Sequence, residues 1–225
     1  MHWGNFLRAW QSEPFGLYYV NSLWTTLAIV ILQLITSTMA AYALVFVPFR
    51  GSKLLFAGIM LALMVPMQAT FIPNFLILRD LHWLDSYMAL IVPFAGSAFG
   101  IFLMRQAYLT FPKEMVEAMR IDGGTEWQIL WRLIVPNVKP QVISLVILSF
   151  VFHYNNLFWP LVVTNSTKYR VLPLGLATFL QQQGGNGPQW NLMMAADLFT
   201  MLPLLVVFFF GQRYLVQTVA NSGIK

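Results

Sequence analysis

Five predominantly apolar stretches of about 20 or more residues, separated by short polar punctuation, run along the chain, and as helices each could cross a bilayer core of about 30 Å. They lie at about Tyr19 to Val47, Leu54 to Leu78, Tyr87 to Leu109, Val142 to Val163 and Leu192 to Leu215. Within lipid every backbone polar group must be satisfied by the protein, so the fold class is all-α, a polytopic transmembrane helical bundle of about five spans. Pro66 and Pro73 each remove an intrahelical hydrogen bond from the second stretch, which predicts a kinked or broken span. Of the 225 residues only 9% are charged, too few to cover a soluble domain of this size. The absence of cysteine excludes disulfides, thiolate metal sites and a cysteine nucleophile.

Lys and Arg accumulate in cytoplasmic loops, so their distribution predicts orientation. Nine fall on one side (Arg50, Lys53, Arg105, Lys113, Arg120, Arg132, Lys139, Arg213 and Lys225) and four on the other (Arg8, Arg79, Lys168 and Arg170). The larger group marks the cytoplasm, which receives the Arg50 turn, the segment from 110 to 141 and the C-terminus. The expected organisation is an external segment at 1–15, a membrane domain at 16–215 and a cytoplasmic tail at 216–225. Residues 181–187 (QQQGGNG) read as a flexible external loop tip.

The cytoplasmic insert from Pro112 to Pro140 predicts two short helices. Pro112 suits a first helical position, and Glu114 lies in the first turn, where the helix dipole favours negative charge. Asp122-Gly123-Gly124 ends that helix, Thr125 with Gln128 fits a capping box for the second, and Pro136 is expected to close it. Lys113 and Glu117 stand at i,i+4, while Met115, Ala118 and Met119 form a small apolar face. Two readings are open from composition: a solvated amphipathic helix, or a docking element for a soluble partner.

Glu117-Ala118-Met119, three residues, Gly123, nine residues, Leu133, one residue, then Val135-Pro136 closely resembles the EAA loop of ABC-importer permeases, usually written EAA, three, G, nine, I, one, L, P. It departs at Met119 and, conservatively, at Leu133 and Val135. Asn21-Ser22, Ala41-Tyr42-Ala43, Phe49-Arg50-Gly51, Ile72-Pro73, Ile121-Asp122-Gly123 and Gln212-Arg213 extend the resemblance to carbohydrate-uptake permeases of the maltose-transporter type and the related glycerol-3-phosphate permeases, from about residue 14 onward. The resemblance implies a non-catalytic plasma-membrane subunit that forms half of a translocation path for a sugar or oligosaccharide. Its implied partners are a second homologous permease, a cytoplasmic ATPase dimer and an extracytoplasmic substrate-binding protein. No cofactor is expected on this chain; ATP and Mg belong to the ATPase. The coupling loop, 112–136, carries Glu117, Ala118, Met119, Asp122, Gly123, Leu133 and Pro136 as the implied ATPase-coupling residues. Family members usually have six spans, one more at the front, so an upstream in-frame apolar segment is expected; an intact mass of 25.7 kDa from native membranes would contradict that expectation.

Ionisable residues placed in apolar stretches are functional candidates because burying them in lipid is costly. Here these are His153 and Asp197. With Asn155, Asn156 and Gln68 they make the candidate substrate path, with interhelical hydrogen bonds as the other reading of His153 and a packing or gate contact as that of Asp197; Tyr154-Asn155 stands where the resembling family usually has a tryptophan-asparagine pair. Gly96 and Gly100 fit a close-packing spacing, and Trp83, Trp159 and Trp190 read as interface anchors. An ATP-independent secondary transporter is the alternative from another class, yet it calls for more mid-span charge than two residues. No H-E-x-x-H, G-x-S-x-G or G-x-x-x-x-G-K-[ST] occurs, which argues against an embedded enzyme or a nucleotide site on this chain.

Overall fold

In a computed structural model, which describes residues 4–182 and 190–223, the chain is helical, and no strand occurs among the described residues. The loop tip read at 181–187 falls largely outside them. The helices are α1 (Gly4–Ser12), α2 (Phe15–Phe46), α3 (Ser52–Met64), α4 (Met67–Asp80), α5 (Tyr87–Ile91), α6 (Ala98–Leu109), α7 (Lys113–Ile121), α8 (Glu126–Asn137), α9 (Lys139–Tyr154), α10 (Phe158–Val163), α11 (Leu172–Gln182) and α12 (Trp190–Gly223). Three segments are long and apolar enough to cross a membrane, Phe15–Phe46, Tyr87–Leu109 and Trp190–Tyr214. Counting two bent pairs, α3 with α4 and α8 with α9, as single spans makes five.

The breaks differ from the sequence expectation in an instructive way. The second stretch bends by 99° at Val65-Pro66, whereas Pro73 sits inside α4 without ending it. The fourth stretch is not one span from Val142 to Val163. It begins earlier, with Lys139, and ends at Tyr154, before the short α10. Proline also interrupts the third: Val92–Phe94 forms a single 3-10 turn around Pro93 before α6 starts at Ala98 behind the Ser97 cap.

The chain divides into two compact units. One comprises residues 1–29, 71–93 and 150–210, the other 30–70, 94–149 and 211–225.

In the first unit, Asn21 is the organising polar residue and is 1% exposed. Its amide nitrogen donates to the carbonyls of Lys168 and Arg170, each at 2.9 Å, and its oxygen accepts from the Tyr87 hydroxyl at 2.7 Å. Beside it the Ser22 hydroxyl accepts the Leu172 amide at 2.7 Å. The irregular stretch before α11 is therefore tied to α2. Asp85, in the left-handed region at φ 53°, accepts the amides of Asn165 and Ser166 at 2.9 Å and the Ser166 hydroxyl at 3.0 Å. Burial alone would raise its pKa, but these bonds outweigh it and hold the carboxyl below its usual range. Trp159, read as an interface anchor, is instead 1% exposed, and its indole N–H donates to the Ala89 carbonyl at 2.8 Å. Its flat, polar-edged ring fills the core because a partner for the N–H lies within reach. Trp190 is exposed and Trp83 half-buried.

In the second unit, Ala41, Tyr42 and Phe46 of α2 pack with Met104, Ala107 and Tyr108 of α6, and Ile129, Leu130 and Ile134 of α8 join the same cluster. Gly100 presses on Ser37 and Leu145 so closely that a Cβ there would collide, whereas a Cβ on Gly96 would meet nothing within 4 Å. Of these two glycines, Gly100 is the one that packs closely. The Gln33 amide donates to the Phe94 carbonyl at 2.9 Å, Thr36 to the Ala95 carbonyl at 2.9 Å, and Gln33 accepts from Ser149 at 2.7 Å.

Replacing Asn21 by leucine, similar in branching, leaves two carbonyls and a tyrosine hydroxyl without their partner. The expected destabilisation is about 2 kcal/mol, seen as a lowered midpoint in detergent thermal unfolding; an unchanged midpoint would contradict the organising role.

Candidate functional site

Residues 110–138 fold into a hairpin of two helices, the polar α7 and the more apolar α8, joined by a glycine turn. Pro112 is the N-cap of α7 rather than its first helical residue; its φ of −61° and extended ψ of 121° lead the chain in, and Glu114 lies in the first turn. The helix ends on a Schellman motif. The Gly124 amide donates to the Met119 carbonyl at 2.9 Å and the Gly123 amide to that of Arg120 at 3.1 Å. Gly123 has φ +84°, which L side chains rarely adopt, and a Cβ on Gly124 would stand 2.8 Å from the Met119 carbonyl oxygen. Both glycines are therefore required, for different reasons.

Thr125 then caps α8 with a full capping box. Its hydroxyl accepts the Gln128 amide at 3.3 Å while the Gln128 side chain accepts the Thr125 amide at 3.0 Å. Pro136 does not close this helix. The chain widens into a π-helix over Ile129–Ile134 and continues through Pro136 to Asn137, turning by 85° only at Val138. A regular helix would drive the proline ring into the Arg132 carbonyl, and the wider turn upstream accommodates it.

Only Val116 of α7 is buried, packed into the α2–α6–α8 cluster. Glu114, Met115, Glu117, Ala118, Ile121 and Asp122 are exposed, Ile121 at 86%. Of the sequence candidates, Glu117, Ala118, Asp122 and Gly123 share this exposed segment, whereas Met119 and Leu133 turn inward against the cluster and Pro136 stands at the far end of α8. Lys113 and Glu117 do not pair: among the described residues the ion pairs are Arg79–Asp80 and Arg120–Glu126.

The Arg120–Glu126 pair was not legible in the sequence. Arg120 Nε donates to Glu126 Oε1 at 2.8 Å and a terminal guanidinium nitrogen to Oε2 at 2.9 Å, a bidentate arrangement. The same guanidinium nitrogen donates to the Phe46 carbonyl at 3.1 Å, and the Tyr42 hydroxyl donates to Glu126 Oε2. Six residues separate Arg120 from Glu126, a spacing that no single helix brings together, and the intervening glycine turn closes it. The Arg120 hydrogen bond, then that of Tyr42, holds the Glu126 carboxyl below its ordinary range, and Glu126 raises the Arg120 guanidinium in turn. Beside this network lies a cavity of about 620 Å³ between the end of α2, the Val47–Ser52 turn and α7, floored by Phe46 and Val116 and rimmed by Arg50, Lys113, Glu117 and Arg120.

Three of the candidate path residues, Asn155, Asn156 and Asp197, are engaged locally. Asn155 donates to the Val151 carbonyl at 3.0 Å, Asn156 accepts the Trp159 amide at 3.2 Å, and Asp197 accepts the Thr200 hydroxyl at 3.2 Å. His153 is half-buried with Phe152 edge-on to its ring at 5.1 Å, and Gln68 is exposed on α4. Among the described residues no group of three or more His, Asp or Glu is placed to hold a metal.

A family model described as the binding-protein-dependent transport system inner membrane component matches residues 33–221. The chain belongs to this family. The arabinooligosaccharides transport system permease protein AraQ of Halalkalibacterium halodurans is 35% identical over 213 residues, covering 93% of this chain and 75% of that protein. The sn-glycerol-3-phosphate transport system permease protein UgpE of Yersinia pestis is 32% identical over 226 residues, covering 98% of this chain and 80% of that protein. Among solved structures, a bacterial ABC transporter involved in the import of the acidic polysaccharide alginate aligns with a TM-score of 0.85 at 25% identity, over 95% of this chain and 80% of that one. This permease is accordingly a multi-pass inner membrane component of a transport system, and its α7–α8 hairpin lies within the matched region.

Because Glu126 has a depressed folded pKa, its contribution to the hairpin is complete above the ordinary carboxylate value of about 4.3 and is lost as pH falls through the lower folded value. In carboxyl-labelled permease the Glu126 resonance, assigned by its loss in Glu126→Gln, should titrate below that ordinary value and move upward in Arg120→Gln. Equal titration in both backgrounds would contradict the pairing.

Proposed function

We propose that this permease is one of two membrane subunits of an ATP-driven importer for a carbohydrate, and that α7 couples it to a separate cytoplasmic ATPase. The observation that carries the reading is the exposed face of α7. A helix of nine residues with one buried side chain presents Glu117, Ala118, Ile121 and Asp122 outward, backed by a fixed glycine turn. An apolar residue as exposed as Ile121, flanked by carboxylates and anchored to a packed core, is suited to seat in a partner's cleft without reorganising. The excess of Lys and Arg on this side of the chain supports a cytoplasmic hairpin and C-terminal end. Glu117, Ala118, Asp122 and Gly123 are the coupling residues; Met119 and Leu133 hold the hairpin against the body, and Pro136 lies inside α8, two residues before the bend at Val138.

ATP and Mg²⁺ belong to the ATPase in this reading. An extracytoplasmic binding protein delivers substrate to a path shared with the second permease. His153, Asn155, Asn156, Gln68 and Asp197 are proposed for this chain's share of that path. The similarity to AraQ favours an oligosaccharide; the similarity to UgpE favours glycerol 3-phosphate as the second reading.

Co-purification in mild detergent tests the assembly, and uptake by liposomes containing it, with arabinotriose and sn-glycerol 3-phosphate as probes, separates the substrates. Recovery of an ATPase and a second permease is expected. Gly123→Trp should insert normally yet uncouple hydrolysis from uptake, because a bulky side chain at φ +84° distorts the end of α7; unchanged uptake by that variant would count against the coupling role.

A further inference from the structure

We infer that Tyr42, Arg120 and Glu126 form a clamp that sets how efficiently ATP hydrolysis is converted into transport, by fastening α7 to the end of α2. The inference rests on the reading of α7 as the ATPase contact and names what makes that contact effective.

Toward α8, α7 is joined through Gly123 and Gly124, and its own packing consists of the buried Val116 with Met119 partly buried behind it. A push on such a helix would rotate it about the glycine turn. The clamp closes across that turn. Glu126, just beyond it, receives both donors of the Arg120 fork from the last turn of α7 and also the hydroxyl of Tyr42 from α2. Arg120 reaches the carbonyl of Phe46, the last residue of α2. A planar, bidentate pair fixes orientation as well as distance, so displacement of α7 is passed to a 32-residue helix. Tyr42, Arg120 and Glu126 are positioning residues: they act through α7.

The test uses the assembled transporter in liposomes, reading ATPase association, hydrolysis rate and uptake per ATP with whichever of arabinotriose and sn-glycerol 3-phosphate the intact assembly carries. Tyr42→Phe removes one hydroxyl, and Glu126→Ala removes a side chain that is 53% exposed, so neither empties the core. Both should retain the ATPase and hydrolyse ATP near the unmodified rate, while uptake per ATP falls by about fivefold, the low end of measured couplings between sites. The charge reversals Arg120→Glu and Glu126→Arg should each lower the ratio and together recover much of it. An unchanged ratio in Tyr42→Phe and Glu126→Ala would overturn the inference, as would loss of the bound ATPase, which would make these residues part of the docking surface. Recovery of the intact chain without any ATPase would overturn the reading of α7 itself, and the clamp with it.

Discussion

A backbone carbonyl freed inside a membrane has no water to accept from, and the architecture of this permease is arranged around that fact. Several places where a helix stops short are covered by a donor from another segment. The carbonyls of Phe94 and Ala95, released where Pro93 interrupts the third span, are taken by Gln33 and Thr36 of α2. Those of Lys168 and Arg170 are taken by Asn21, and that of Ala89 by Trp159. The same device appears at the polar boundary, where Arg120 takes the carbonyl of Phe46. α2 thus supplies the polar side chains for several breaks along its length, and this explains why an otherwise apolar helix carries the buried Asn21 and Gln33.

This principle also separates what can be read in the sequence from what cannot. Span length and apolar content place the membrane helices, because bilayer thickness constrains each segment independently. The caps of the hairpin are equally local: Gly123, and Thr125 with Gln128, act within a few residues of chain and were recognisable as letters. Pro66 and Pro73 show where local rules stop. Both lack an N–H, yet one coincides with a sharp bend and the other lies in a continuous helix, since the outcome depends on which neighbours receive the freed carbonyl and the ring. Pro136 is a similar case, absorbed by a π-turn that no spacing announces.

Within the hairpin the EAA-like spacing pointed to Glu117, Ala118 and Asp122, which are exposed, but also to Met119 and Leu133, which turn inward, and it gave no sign of the network behind them. Tyr42 lies 84 residues before Glu126 in the chain, and Arg120 meets Glu126 only because the glycine turn folds α8 back. Trp159 illustrates the reverse error: aromatic residues concentrate at membrane interfaces, but an indole whose N–H finds a carbonyl is worth more in a core than at a boundary.

The clamp also bears on why α7 is a helix at all. Isolated helices shorter than about 12–15 residues are marginal in water, and α7 has nine. Its conformation is therefore contributed by the body of the permease: Val116 buried in the cluster, the Schellman turn satisfying its final carbonyls, and Arg120 held at both Glu126 and Phe46. A contact element formed only on binding would spend part of its interaction free energy on ordering itself, and a partner's motion would be absorbed as unfolding. Because α7 is held in place in advance, its exposed face needs no ordering before it can be contacted. That a helix with one buried residue keeps its shape follows from the groups that fasten it, more than from the face that it presents.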